Sequence, residues 1–491
     1  MGNNDLQGHP RGLSTLFFTE MWERFSFYGM RALLVLFMVA KAPGLEYDRV
    51  TASAVYGLYL ALVYLTALPG GWIADRLLGA QRAVWYGGCI IALGHFTLAI
   101  PSTGTFYLGL LFIVLGTALL KPNVSVIVGE LYAEGSARRD SGFTIFYMGI
   151  NLGAMIGPFI CSPLGEKVNW HYGFAAAGVG MVAGLIQYRL TRWRLGEAGL
   201  RPKGYDPKSA RRGWMIVAAA VAAIFAFALL AIAGVIRLEP VRLARQATRA
   251  IAALGLLYLA GIFFLARLDA VERRRLIVLI FLLVACVIFF MGFEQAGSSL
   301  NLFAKDYTVR TVSFLNRDIA AGLFQSLNPV FILTFAPLMA SLWVALARRG
   351  LNPSTPAKFG IGLILLGLGF VVMIVASRRL IVAGGIGQVG PLWLVATYLI
   401  HTLGELCLSP VGLSAVTKLA PRRFVGQMMG MWFLATALGS LTAGLLAGEI
   451  SQVPVADMPS IYLRIALITA SAGAVLLILA RPLKKLMGTA N

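Results

Sequence analysis

The sequence predicts an all-α polytopic membrane protein of fourteen spans, arranged as two six-helix bundles with two additional transmembrane helices between them. Three observations predict it. Hydrophobic residues make up 58% of the chain and charged residues only 13%, so most of its surface must face lipid. Fourteen apolar stretches are long enough to cross a hydrocarbon core about 30 Å thick. The ionisable residues that interrupt these stretches fall in corresponding spans of the two halves.

The first six spans are read at 17–41, 52–74, 83–102, 105–130, 142–163 and 170–191. Spans seven and eight, 213–235 and 248–268, hold no polar side chain near their centres and are rich in Ala and Leu, which marks them as lipid-facing additions. The last six follow at 276–300, 322–346, 357–377, 388–415, 424–447 and 458–480. Without the added pair, six spans, a linker and six spans remain, the two-half plan of the major facilitator fold, in which each half is an inverted repeat of three spans. The boundaries expected are 1–200 for the first bundle, 201–272 for the linker with its two helices, and 273–491 for the second bundle.

The net charge of +21 does not point to nucleic acid, because Lys and Arg are spread over short loops without a dense patch. With the N-terminus inside, about twice as many lie on inner segments as on outer ones, as the positive-inside rule requires. The densest loop, Arg189 to Arg212, carries eight and falls inside. Arg237, Arg242, Arg245 and Arg249 between spans seven and eight run against the rule. Residues 1–16 are polar and no cleavage site follows, so span one itself directs insertion. Cys89, Cys161, Cys286 and Cys407 lie on four different spans without metal-ligand spacing and read as small buried hydrophobes.

Span one breaks the apolar pattern. It holds Glu20, Glu23, Arg24 and Arg31, and at about 100° per residue Glu20, Arg24, Tyr28 and Arg31 share an arc of roughly 80°. A charge at mid-bilayer costs about 2.5 to 3.5 kcal/mol on insertion scales, so this face must meet protein interior or water, which points to transport. Lys121 occupies the fourth span, and Glu294 and Glu405 occupy the first and fourth spans of the second half. Helices related in this way line one central cavity. Lys121-Pro122, Asn328-Pro329 and Ser409-Pro410 each set a proline after a polar residue inside a span, which predicts broken helices with bare carbonyls at that cavity. A plain kink fitted to packing is the competing reading.

The first half supplies three cations and two carboxylates, the second only Glu294 and Glu405. A zwitterion fits that division, its carboxylate towards Arg24, Arg31 and Lys121 and its ammonium towards Glu405. Asn151, one turn beyond Tyr147, and Asn328, one turn beyond Gln325, are amides able to pair with peptide groups. Tyr28, Tyr64 and Trp432 offer side-chain pockets, with simple packing the plainer role for each. A carboxylate that changes charge suits proton coupling, since burial and a neighbouring cation move its affinity for the proton in opposite directions. Candidates are Glu20 and Glu23 against Arg24, and Glu294 against Arg31 across the halves; a permanent salt network that fixes packing is the alternative. His401, one turn before Glu405, reads as a packed, hydrogen-bonded histidine. No Gly-x-Ser-x-Gly, His-Glu-x-x-His or Walker loop is present, which disfavours an enzyme and an ATP-driven pump.

Taken in order, these residues resemble the proton-dependent oligopeptide transporters of the major facilitator superfamily. Glu20-x-x-Glu23-Arg24-Phe25-Ser26-Phe27-Tyr28-Gly29 resembles the first-span hallmark, with Phe27 where many members have tyrosine. Gly70-Gly71-Trp72-Ile73-Ala74-Asp75-Arg76 resembles the superfamily's gating loop, and Lys121-Pro122-Asn123-Val124-Ser125 the fourth-span signature. Phe146-Tyr147 through Asn151-Leu152-Gly153, Phe293-Glu294-Gln295, Asn328-Pro329 and Gly404-Glu405 through Ser409-Pro410-Val411-Gly412 complete the match along the chain. The resemblance implies import of di- and tripeptides with protons by alternating access. It implies proton coupling by Glu20, Glu23, Arg24, Lys121 and Glu294, and peptide binding by Arg24, Tyr28, Arg31, Tyr64, Lys121, Tyr147, Asn151, Asn328, Glu405, Ser409 and Trp432. Gating falls to Asp75 and Arg76. Animal relatives carry a second-span histidine where this chain has Gly57, which leaves coupling to the carboxylates. The expected partners are peptide, proton and lipid bilayer, with no cofactor, metal or nucleic acid. The expected setting is a bacterial inner membrane, both termini cytoplasmic and the monomer functional. Transport of nitrate, another organic anion or a drug on the same fold is the alternative, and a non-transporting peptide sensor is the alternative from a different class.

Overall fold

The computed structural model describes residues 4–5, 8–133, 136, 138–202, 206–312, 317–382, 384 and 387–488. Apart from two antiparallel ladders of two-residue strands, at Asn4–Asp5 with His9–Pro10 and Thr311–Val312 with Arg317–Asp318, its regular structure is helical. The chain forms two compact units, one of Met1–Glu46 with Leu62–Glu239 and one of Tyr47–Ala61 with Pro240–Asn491.

The first unit contains α1 (Gly12–Val39), the end of α2 (Arg49–Leu65), α3 (Ala67–Ile73), α4 (Ala80–Leu98), α5 (Thr103–Glu130), α6 (Arg138–Lys167), α7 (Trp170–Thr191) and α8 (Pro207–Ile232). Helix α1 packs on α6 and α7, and α4 packs on α5 and α7. Lipid tails are as apolar as leucine, so close backbone approach has to replace hydrophobic drive between helices. Glycine provides it: a Cβ on Gly87 of α4 would stand 2.6 Å from Gly116 O of α5. Between these seams a core of Leu16, Val84, Ile91, Leu120, Val124, Ile127 and Met181 is buried.

The second unit holds the start of α2, then α9 (Pro240–Leu265), α10 (Ala270–Phe293), α11 (Ser299–Tyr307), α12 (Leu327–Arg348), α13 (Thr355–Val382), α14 (Leu392–Leu419), α15 (Val425–Gln452), α16 (Met458–Ile478) and α17 (Ala480–Met487). Helix α13 packs on α14 and α16, and α10 on α15. The glycine device recurs, with a Cβ on Gly360 2.8 Å from Gly473 O. Asp269 opens α10 with a capping box, its carboxylate accepting from Glu272 N–H at 2.7 Å.

Eleven of the fourteen predicted spans are long and apolar enough to cross a membrane. The other three are α1, α4 and α7, helical over 28, 19 and 22 residues. Among the buried positions on them are Glu20, Glu23, Arg24 and Arg31 of α1, His95 of α4 and glycines of all three, where protein and not lipid is the neighbour. The added pair is shared out, α8 grouping with the first unit and α9 with the second. Of the most apolar stretch, none of α8 and 11% of α9 is buried, which fits helices exposed to lipid.

The proline expectation needs correction in part. Helix α5 runs on through Pro122 and α14 through Pro410, while at Asn328-Pro329 the span does change form, a 3₁₀ stretch over Ala321–Ser326 giving way to α12, with Pro329 in its first turn. Around Pro122 the helix packs against protein. Asn123 Nδ2 donates to Leu119 O at 2.7 Å, and the carbonyl of Ala118 lies against Gly70, where a side chain would collide. Another break lies elsewhere: α10 ends at Phe293, a 3₁₀ turn spans Glu294–Gly297, and α11 resumes at Ser299.

Candidate functional site

In the first unit the charged face of α1 is folded inward. Glu20 is 3% exposed, Glu23 1%, Arg24 4% and Arg31 7%, so this network is desolvated. Arg24 Nε lies 2.9 Å from Glu20 Oε1 and is also paired with Glu23 Oε2. One guanidinium therefore serves two carboxylates. Among the described residues, Glu20 Oε2 and Glu23 Oε1 accept no hydrogen bond. A proton can add to either carboxylate there without displacing an existing donor. Lys121 of α5 lies within electrostatic reach of Glu23 and places its Nζ 4.5 Å from the centre of the Tyr64 ring. Arg24 stacks over Phe27 at 5.4 Å and Arg31 over Tyr28 at 5.6 Å, so aromatic faces carry part of the cationic charge.

Elsewhere in this unit Asn151 is buried and spends its amide on Tyr147 O, one turn back, at 2.9 Å. Its Oδ1 keeps its acceptor capacity. Tyr147 is 38% exposed. Asp75 and Arg76 lie exposed in the wide turn Ala74–Leu78 and form no ion pair among the described residues.

In the second unit the break at Glu294 is held by named partners. Gln295 Nε2 donates to Ala443 O of α15 at 3.0 Å, Ser299 Oγ donates to Gln295 Oε1 at 2.6 Å, and Tyr398 OH donates to Ala296 O at 3.1 Å. Glu294 is 2% exposed, and Tyr56 OH of α2 reaches its Oε2 at 3.4 Å. The sequence carried no signal for Tyr56, whose partner lies 238 residues away. One residue on, a Cβ at Gly57 would stand 3.0 Å from Ser440 O and 3.1 Å from Gly444 Cα. Gly57 is there because two backbones touch.

The second carboxylate of this unit is oriented from α12. Asn328 Nδ2 donates to Glu405 Oε2 at 2.9 Å and to Thr402 Oγ1 at 3.0 Å, and Thr402 in turn donates to Tyr398 O. Asn328 and Glu405, both sequence candidates, are thus brought together, and Thr402 joins them unannounced. Its position three residues before Glu405 put it on the same helix face. Ser409, one turn further, keeps an Oγ without a partner among the described residues. Trp432 is a core residue here: it is 4% exposed, fills the space over Gly412 and meets Phe359 edge-on at 6.2 Å. His401 is packed and bonded as expected, its Nε2 3.1 Å from Leu366 O and its ring against Phe370.

Comparison with known proteins gives these motifs a lineage. The peptide transporter YePEPT of Yersinia enterocolitica is 43% identical over 99% of this chain and 97% of its own length. A di-/tripeptide transporter of Lactococcus lactis is 38% identical over 98% of this chain and 97% of its own. Among solved structures, a peptide transporter POT mutant in complex with alafosfalin superposes with a TM-score of 0.90 at 40% identity, covering 99% of this chain and 98% of that one. The profile of the POT family matches residues 81–463. Matched by the family profile over most of its length and by these relatives over nearly all of it, this multi-pass inner-membrane protein belongs to the POT family.

Proposed function

We propose that the protein is a proton-coupled symporter that imports di- and tripeptides by alternating access. The observation that carries the proposal is how charge is sorted. The first unit holds Arg24, Arg31 and Lys121 with Glu20 and Glu23 in its predicted first and fourth spans, and the corresponding spans of the second hold Glu294 and Glu405 with no cation. Peptides are zwitterions, and the relatives named peptide transporters support the substrate class. Arg31 and Lys121 receive the peptide carboxylate, Glu405 held by Asn328 receives the ammonium, and Asn151 offers an amide oxygen to the backbone. Tyr28, Tyr64, Tyr147 and Ser409 complete the peptide contacts. Protons are carried by the carboxylates Glu20, Glu23 and Glu294, with Arg24 as the counter-charge released or restored as the substrate comes and goes.

The same reading takes the major facilitator plan of twelve spans plus two, with bundles at 1–200 and 273–491 and the added helices at 201–272. Both termini are cytoplasmic by the distribution of Lys and Arg. Asp75 and Arg76 act in gating, and the monomer is the working unit. The test is uptake of labelled dialanine by proteoliposomes, wild type against Glu405→Gln, under an inward proton gradient. Accumulation that Glu405→Gln abolishes supports the proposal; wild-type protein that exchanges another anion but accumulates no dialanine rejects it.

A further inference from the structure

The loop with eight cations after the sixth predicted span has no part in the proposed transport cycle. Where it begins, it meets the start of α4 at a cavity of about 350 Å³ lined by Gln81, Arg82, Trp85, Tyr86, Arg189 and Arg192. The frame is fixed by hydrogen bonds. Gln81, 5% exposed, donates from Nε2 to Gly196 O and Ala198 O at 3.1 and 2.8 Å, and from its backbone N–H to Gly199 O at 2.9 Å. Tyr188 OH donates to Gln81 O at 3.0 Å, and Trp85 stacks on the Tyr188 ring at 6.4 Å. Glu130 takes Gly199 N–H at 2.7 Å and so ties the loop to α5.

Three guanidinium groups converge on this frame and no carboxylate lines it. Among the described residues none of the three forms an ion pair; Lys203, further along the loop, lies outside them. Planar guanidinium forks match phosphate oxygens in pairs. Beside the cavity, Ile186 and Leu190 are exposed one turn apart at the end of α7 and Trp193 in the 3₁₀ turn that follows, Arg192–Leu195, and Tyr86 is exposed on α4. Amphipathic aromatics at the end of a span belong at headgroup level, and basic pockets between spans suit anionic headgroups. We propose that this cavity binds the phosphate of an anionic phospholipid, with the acyl chains lying along the Ile186, Leu190 and Trp193 ridge.

Native mass spectrometry of the detergent-purified full chain tests the site, titrating dioctanoyl phosphatidylglycerol, dioctanoyl phosphatidylcholine and inorganic phosphate. Wild type should retain phosphatidylglycerol in preference to the other two. Arg82→Gln, Arg189→Gln and Arg192→Gln together should weaken it on the order of a hundredfold, about fivefold per arginine. The triple variant Arg201→Gln, Arg211→Gln and Arg212→Gln, in the same loop but outside the cavity, should retain it. Arg189 is exposed, so Arg189→Gln alone, with a loss of roughly fivefold, keeps the test open if the triple variant fails to fold. Equal losses in the two triple variants would overturn the site as diffuse electrostatics. Equal retention of phosphatidylcholine, or inorganic phosphate held as tightly as phosphatidylglycerol, would overturn the lipid.

Discussion

A Cβ at Gly57 would press on two backbone atoms of α15, which sets how closely α2 packs there. With Ser440 O and Gly444 Cα 3.0 and 3.1 Å from any Cβ, a histidine there requires α2 and α15 to separate. Gly57→His should destabilise the protein by about 1–3 kcal/mol or more, read as a lower unfolding temperature in detergent; a wild-type temperature would contradict the close approach. Asn328 is a different case, a residue whose loss should be read in the ligand. Asn328→Ala removes the donor that orients Glu405 and Thr402. Losing such bonds costs about 1–3 kcal/mol, so dialanine affinity should fall by roughly fivefold to a hundredfold alongside any drop in unfolding temperature; unchanged affinity in folded protein would remove Asn328 from the site. At this scale much was legible in the sequence, because motif residues such as Glu405 and Asn328 carry their chemistry in their identity. Thr402 and Tyr56 were not, since a threonine or tyrosine in a span is ordinary until its partner is known.

Among the helices, the sequence placed the breaks at prolines and the fold places one at Glu294. Proline in a membrane helix is tolerated where it packs against protein, as at Pro122, where Ala118 O lies against Gly70 and Asn123 Nδ2 donates to Leu119 O. The run Glu294-Gln-Ala-Gly-Ser-Ser has no proline, yet its serines compete for backbone groups, and Ser298 Oγ takes Glu294 O at 3.3 Å. Gln295 is the main external anchor of that turn. Gln295→Ala removes its bond to Ala443 O and leaves Ser299 Oγ without its acceptor, a cost of about 1–3 kcal/mol. A clear drop in unfolding temperature is expected, and none would show that the break holds itself. The spans at α1, α4 and α7 were legible from apolar length, although their hydropathy is lower than that of the other eleven.

Across the whole molecule, the all-helical class, the membrane setting and the family were legible from composition, span length and the order of motifs. What sequence could not supply is how charge is satisfied within each unit, because that depends on contacts between residues far apart in the chain. The buried trio Glu20, Glu23 and Arg24 is the centre of the proposed coupling, with one guanidinium for two carboxylates and carboxylate oxygens that accept nothing among the described residues. The most direct test follows labelled dialanine and internal pH together in proteoliposomes, for the wild type and Glu23→Gln. Wild type should concentrate dialanine only under an inward proton gradient and acidify the lumen as it does so, while Glu23→Gln should exchange dialanine across the membrane but neither concentrate it nor acidify. Dialanine concentrated by the wild type without a gradient, or by Glu23→Gln with acidification intact, would contradict the account.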